Sequence, residues 1–327
     1  MKRIGYLYER IMTLENVAEA WRKYNANRPV HLRVEYCEAR AQRILDAMRA
    51  DFASVIGRPR LKTIYEGGKR RELQIPSFKS AIAQLAMWNV CGKYVERRVH
   101  AHSYSSRLGM GGHKAFRECS HFVQRHRRGR ARYCLYFDVS KYYQHINHRI
   151  LMDRLERIFK DRKVLDLFRI VIDSAYEGLP IGYPFSHALA NLYLTPMYHL
   201  VMSDKRVSRG FVYMDNHLFF SRWKKALADA RLMAQRWLAG MGCAIKGDWQ
   251  IFPTVRRAVK ICGFCIRAGK TPRLYRRIWR NIMKNLDRLA RDFALSDYLS
   301  LMSRKGWLMA IKKTYTPSIK LEGAYLW

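Results

Sequence analysis

The sequence is poor in acidic residues. Its 327 residues carry 26 Asp and Glu against 62 Lys and Arg, a formal net charge of +36 at pH 7. A folded chain with that charge repels itself, which points to an abundant polyanion as partner. Long apolar runs are also missing. No stretch reaches the roughly 18 residues of a membrane-spanning helix, and the opening MKRIGYLYERIMTLENVAEAW is charged throughout. The expectation is therefore no membrane span and no secretory signal. Seven cysteines at 37, 91, 119, 134, 243, 262 and 265 form an odd, scattered set. In a chain of this length they read as reduced thiols in an intracellular setting. Repeats, low-complexity tracts and long linkers are absent as well, which rules out a solenoid and a disordered basic tail. With 49% apolar residues the chain can bury a core.

What is present is basic and aromatic. Lys and Arg recur along the whole chain and are densest in RHRRGRAR at 125–132 and RLYRRIWRNIMKNLDRLAR at 273–291. In the second stretch Leu274, Ile278, Ile282, Leu286 and Leu289 recur at helical spacing, with Arg276, Arg277, Arg280, Lys284 and Arg288 on other faces. A basic amphipathic helix suits an anionic membrane surface or a nucleic acid. The dominance of Arg, with 20 Tyr and 8 Trp available for base stacking, favours nucleic acid.

Along the chain, residues 14–56 read as helical. LKTIYEGGKRRELQIP at 61–76 alternates apolar and polar residues around Glu66-Gly67-Gly68 and predicts a hairpin. A helix is expected through FKSAIAQLAMWNVCGKYVERRV, then a Gly-rich loop at 106–116 leading into another helix. The last change of character is at Gly269-Lys270-Thr271-Pro272, beyond which the sequence is helical and basic.

Three segments carry chemistry. Residues 133–138, YCLYFD, form a short apolar strand ending on Asp138, and a carboxylate at the end of a buried strand is costly unless something pairs with it. FVYMDNHLFF at 211–220 has two apolar strands flanking an Asp215-Asn216 turn. Two strand-borne carboxylates 77 positions apart in sequence repel when brought together, unless a divalent cation binds between them. Mg²⁺ is held in this way, by one or two carboxylates together with substrate phosphates. Between them lies GLPIGYPFSHALANLYL at 178–194, whose glycines permit close backbone approach and whose Ser186 is placed to cap the following helix. Cys262 and Cys265 make only half a zinc site and read as core thiols, and His145 and His148 have no evident metal-ligating partner. His113 and His217 sit close to these segments, where a structural role competes with contact to nucleic acid.

The ordered set resembles a reverse transcriptase. FDVSKYY is similar to motif A of that family, LPIGYPFSHALANLYL to motif B and YMDN to the Tyr-x-Asp-Asp motif C. GGKRRELQIPSFKSAIAQ at 67–84 is similar to the fingers motif and SYSSRLGMGGHKA at 103–115 to the element after it. GCAIKGDW at 242–249 resembles motif D, ICGFCI at 261–266 motif E, and SRKGWL at 303–308 a thumb element. The resemblance implies an α+β right-hand polymerase, with an antiparallel palm sheet flanked by helices and a C-terminal helical thumb. The implied division is an N-terminal helical segment at 1–60, fingers and palm at 61–268 and a basic thumb at 269–327.

The same resemblance implies the site. Asp138 and Asp215 would bind two Mg²⁺ ions, with Mn²⁺ as the alternative, and the carbonyl of Val139 would complete one shell. Lys69 and Arg71 would hold the incoming triphosphate, with Arg107 beside them. Tyr143 matches the steric gate that rejects a ribose 2′-hydroxyl, so the polymer made would be DNA. Gly182 and Ser186 would lie against the templating pair, and Lys246 would protonate pyrophosphate. Asn216 stands where the family has a second Asp and offers one neutral oxygen. The implied partners are an RNA template, a DNA or RNA primer and deoxynucleotides.

The compact length, without a ribonuclease H or maturase extension, argues against retroviral and full-length group II intron enzymes. The pattern Leu-Pro-Ile-Gly-x-x-x-Ser looks like the enzymes of diversity-generating retroelements, which copy RNA with errors and work with a small basic accessory protein. His187 stands where those enzymes have Gln. A retron or antiphage-defence reverse transcriptase with a dedicated structured RNA is the alternative, and a non-catalytic RNA-binding scaffold the second. All three readings imply a cytoplasmic protein of bacterial or phage origin.

Overall fold

In the computed structural model the described residues are 2–26, 28–66 and 69–291. In chain order the elements are α1 (Tyr8–Ile11), α2 (Leu14–Ala26), α3 (Glu38–Ala50), α4 (Phe52–Ile56), β1 (Arg60–Glu66), β2 (Lys69–Ile75), α5 (Phe78–Glu96), α6 (Gly112–Arg125) and β3 (Tyr133–Asp138). Then come α7 (His148–Glu156), α8 (Arg162–Asp173), α9 (Ser186–Ser203), β4 (Val207–Tyr213), β5 (Asn216–Ser221), α10 (Lys224–Gly240), β6 (Gln250–Pro253), β7 (Val259–Ile261), β8 (Phe264–Ile266), β9 (Arg273–Leu274) and α11 (Arg276–Arg291). The chain forms two compact units. One takes the described residues of Met1–Ser103, Val139–Leu200 and Met233–Lys246; the other takes those of Tyr104–Asp138, Val201–Leu232 and Gly247–Trp327.

The first unit is built around α5. Its sequence is predominantly apolar, and most of its residues between Ser80 and Val95 are buried, with Lys93 exposed. Ser77 caps it, its hydroxyl accepting from the Ser80 N–H at 3.2 Å. Trp21 of α2 is fully buried edge-on to Phe78, 4.8 Å between centroids, and its indole N–H donates to the Val34 carbonyl at 2.8 Å. Asp161 caps α8 through one oxygen, while the other accepts the Leu7 N–H at 2.9 Å and so holds the N-terminal segment. The expected hairpin is present, with β1 and β2 antiparallel and Glu66 opposite Lys69.

The helical reading of 14–56 is interrupted. Pro29 offers no backbone N–H, a short 3-10 turn follows at Val30–Leu32, and Cys37 is extended before α3 begins. The Asn25 side chain fixes the excursion, donating to the Val34 carbonyl at 2.7 Å and accepting its N–H at 3.0 Å.

The second unit contains a four-stranded antiparallel sheet in the order β4-β5-β3-β6. Helix α6 covers one face, where Phe116, Cys119, Phe122 and Val123 join Cys134, Phe211, Phe220 and Phe252 in one core. A three-stranded sheet, β7-β8-β9, continues that core through Phe264, whose ring stacks on Phe116 at 3.9 Å. Two local expectations change here. Leu274 pairs in β9 and does not open the basic helix, which starts at Arg276. Cys262 occupies the β7–β8 turn at φ 46°, not a strand interior, because a two-residue reversal there brings Ile261 opposite Phe264. The SRKGWL segment and the rest of 292–327 lie outside the described residues.

Candidate active site

Strand β3 buries Cys134, Leu135 and Phe137 and emerges at Asp138. The register places Asp138 directly across from Asn216, and Asn216 in turn across from Tyr213. Asp215 is therefore one residue from the partner of Asp138, and both carboxylates stand at the same end of the sheet. The turn is Met214-Asp215, not Asp215-Asn216, since Asn216 is already paired in β5. Met214 takes the left-handed conformation at φ 56°, and its N–H donates to the Ser105 hydroxyl at 3.3 Å.

Two neighbours that sequence reasoning did not assign to the site hold this turn. His217 is fully buried and stacks flat on Phe137, 4.8 Å between centroids. Burial pushes its pKa down to about 4, so the ring is neutral and its Nδ1–H donates to the Asp215 carbonyl at 2.9 Å. Such a ring is out of reach of nucleic acid. Tyr136 donates its hydroxyl to Asn216 Oδ1 at 2.8 Å, and the Asn216 amide N–H donates to Asp215 Oδ1 at 3.3 Å. Burial, then the negative charges of Asp138, Asp248 and Asp215, push the Tyr136 phenol up to about 12. The signal in the sequence was the alternation of YCLYFD, which puts Tyr136 and Asp138 on one face of the strand.

These carboxylates create a negative field at the sheet end, which is the environment a divalent cation fits. Among the described residues no three His, Cys, Asp or Glu side chains converge. The donor set is then two carboxylates, which suits a hard ion that draws its other ligands from backbone, water and substrate oxygens. A cavity of about 490 Å³ beside the turn is lined by Tyr136, Tyr213, Asn216, Asp248, Lys260 and Tyr275.

Arg107 is half-buried in the loop that precedes α6, in the same unit as the aspartates. The remaining residues to which the resemblance assigns a role in the site lie in the first unit. Val139, next in the chain after Asp138, is buried and bridged to Ile245, the neighbour of Lys246. Tyr143 hydrogen-bonds through its hydroxyl to His187 Nδ1, with the rings edge-on at 5.4 Å, and burial lowers the His187 pKa. Gly178 is required by its φ of 50° and by the Tyr143 carbonyl, which would lie 2.0 Å from an added Cβ. At Gly182 the carbonyl of Gln74 in β2 would lie 2.4 Å from a Cβ, so the close approach there is made by the protein's own backbone. Ser186 does not cap α9. It is the first residue of the helix, and its hydroxyl is buried with no hydrogen-bond partner among the described residues. Lys69 pairs with Glu66 and Arg71 with Ile64 in the β1–β2 ladder.

A family model described as reverse transcriptase (RNA-dependent DNA polymerase) matches residues 66–264. Among curated proteins, Protein YkfC of Escherichia coli K12 is 28% identical over 137 residues, 39% of this chain and 36% of that protein. The chain thus spans about a third of the length of that relative. Among solved structures, telomerase from Candida albicans in complex with a TWJ fragment of telomeric RNA superimposes with a TM-score of 0.52 at 10% identity. The match covers 79% of this chain and 57% of that one. Apo telomerase from Candida tropicalis, truncated from its C-terminal domain, gives 0.52 at 10% identity, covering 73% and 61%. At such identities the likeness is one of fold.

Proposed function

The chain belongs to the reverse transcriptase (RNA-dependent DNA polymerase) family, and from that premise we propose that it extends a DNA or RNA primer with deoxynucleotides along an RNA template. The observation that carries this reading is the placement of Asp138 and Asp215 at one end of the β3–β5 ladder, Asp138 lying across from Asn216, the residue after Asp215. Bound there, two Mg²⁺ or Mn²⁺ ions would lower the pKa of the primer 3′-hydroxyl and neutralise charge on the leaving pyrophosphate.

The chain's own residues set the geometry. Asp138 and Asp215 would be the anionic ligands of such ions, with the neutral carbonyl of Val139 as a further oxygen donor. His217 fixes the carbonyl of Asp215, and Tyr136 with Asn216 fixes its carboxylate. Lys69, Arg71 and Arg107 bind the triphosphate, Tyr143 excludes the 2′-hydroxyl, Gly182 and Ser186 lie along the templating pair, and Lys246 donates a proton to pyrophosphate. Fingers and palm run to residue 268 and the thumb from 269. The finer role is error-prone copying in a diversity-generating retroelement, supported by Leu179-Pro-Ile-Gly182 with Ser186, with a basic accessory protein as partner and a cytoplasmic setting.

The test is primer extension on a primed RNA template with Mg²⁺ and labelled deoxynucleotides, by the protein and by Asp138→Ala, followed by sequencing of the products. Extension that disappears in the variant supports the polymerase. Errors clustered opposite adenine support the retroelement role; accurate or repetitive product moves the role to retron or defence. No extension in either metal, with the native RNA and accessory protein supplied and RNA still bound, leaves the scaffold.

A further inference from the structure

A second concavity lies in the same unit as the aspartates, toward the other end of their strands. It has a volume of about 540 Å³ and is walled by Lys114, Arg117, His121 and Arg125 of α6, by Arg130, and by Arg209 of β4. Arg130 sits three residues before the start of β3 and Asp138 ends it. The strand between them measures roughly 17 Å at about 3.4 Å per residue. Positions 114, 117, 121 and 125 are one turn apart, about 5.4 Å, so their side chains form a single basic ridge.

The charge on this wall is not neutralised from within. Its one carboxylate, Glu118, accepts the hydroxyl of Tyr104. Among the described residues no ion pair engages Arg117, Arg125, Arg130 or Arg209. Arg209 Nε is buried with no hydrogen-bond partner among the described residues, and Arg130 lies over the Phe122 ring at 5.9 Å. His126, also in the wall, has its pKa lowered by burial and then by Arg130 and Arg125, which reports the same positive field. Arg127, Arg128 and Arg132 of the same basic run are exposed.

We propose that this cleft docks the phosphate backbone of a folded nucleic acid at a site separate from the strand being copied. Guanidinium groups match phosphate oxygens in pairs. Phe122, the one aromatic ring of the wall apart from its histidines, is buried, so contacts fall on the backbone and not on stacked bases. None of the exposed large apolar side chains belongs to this wall, so it has no anchor for a membrane surface. In taking RNA as the first probe, the inference rests on the polymerase reading; the charge argument does not.

The experiment titrates an RNA hairpin with a blocked 3′ end, and a DNA hairpin of the same sequence, by fluorescence anisotropy across a series of KCl concentrations. The variant Arg117→Gln/Arg125→Gln/Arg130→Gln should weaken binding and lower the slope of log K against log salt by about 2–3. Lys at the same three positions should restore the slope. Loss with both hairpins assigns the cleft to the backbone of either nucleic acid, and loss with the RNA alone assigns it to RNA. Extension of a short primed template, measured on the same preparation, should be unchanged, which keeps this outcome distinct from failure of the polymerase reading. The control Lys224→Gln/Lys225→Gln/Arg236→Gln removes equal charge from α10 and should leave the slope near that of the unmodified protein. An unchanged slope in the cleft variant, an equal fall in the control, or loss of primer extension together with hairpin binding would overturn the proposal. So would selective loss of binding to phosphatidylserine vesicles.

Discussion

The hydroxyl of Tyr136 donates to the side-chain oxygen of Asn216 at 2.8 Å, and through the amide nitrogen of Asn216 this contact reaches Asp215 at 3.3 Å. Asn216 thus acts as a neutral strut that presents its donor to Asp215 and its acceptor to Tyr136. Removing the hydroxyl in Tyr136→Phe should cost about 1 kcal/mol in urea unfolding and lower kcat more than it raises KM. Asn216→Asp adds a third carboxylate beside Asp138 and Asp215. Its melting temperature should fall in EDTA and recover with Mg²⁺, a dependence the unmodified protein should show more weakly.

Asp138→Asn and Asp215→Asn should each lower primer extension by roughly three orders of magnitude. RNA affinity should stay within a few-fold, because the basic surface is untouched. Single-turnover extension and anisotropy measured on the same preparations separate the two effects.

His217 sets an acid limit on stability. Its pKa is about 4 in the folded protein against the ordinary 6.5, so the unfolded chain binds the additional proton between those values. Stability is then complete above about pH 6.5 and falls as pH drops toward 4, by up to about 3 kcal/mol at the lower end. His217→Asn keeps a donor for the Asp215 carbonyl and lacks the titration. Urea melts at several pH values should show a flatter dependence in that variant over this window.

Tyr143 and His187 set sugar selectivity under the polymerase reading. Tyr143→Ala should raise ribonucleotide use relative to deoxynucleotide use by about 10–100-fold in kcat/KM. His187→Ala removes the hydrogen bond and leaves the ring, and should give a smaller shift in the same direction. The kcat/KM ratios for matched nucleotide pairs decide it, and an unchanged ratio in both variants would remove Tyr143 from this role.

Gly182→Ala should destabilise the first unit by about 1–3 kcal/mol, because the atom met by the new Cβ is a backbone carbonyl that cannot swing away. Gly247→Ala, where an added Cβ meets nothing within 4 Å, is the matched control. Thermal melts of the two variants make the comparison.

The sequence by itself determined the local pieces. Alternation marked the hairpin around residues 67–68, the apolar run of β3 ending on Asp138, and the two strands flanking Asp215, since side-chain periodicity is a local property of the chain. Net charge set the expectation of a polyanionic partner in the same way, as a sum that needs no coordinates. Tertiary structure decided what each polar group faces. That Asn216 is a strut, that His217 is a buried neutral donor, and that Gly182 makes room for Gln74 all depend on groups brought together by strand register or chain crossing. The Met214-Asp215 turn was likewise decided by pairing, since a shift of one residue in register exchanges which side chains face the cavity and which face the core. The basic run at 125–132 was visible as letters. Only the fold sets Arg117 and Arg125 on one ridge and brings Arg209 from a strand more than 80 positions later into the same wall.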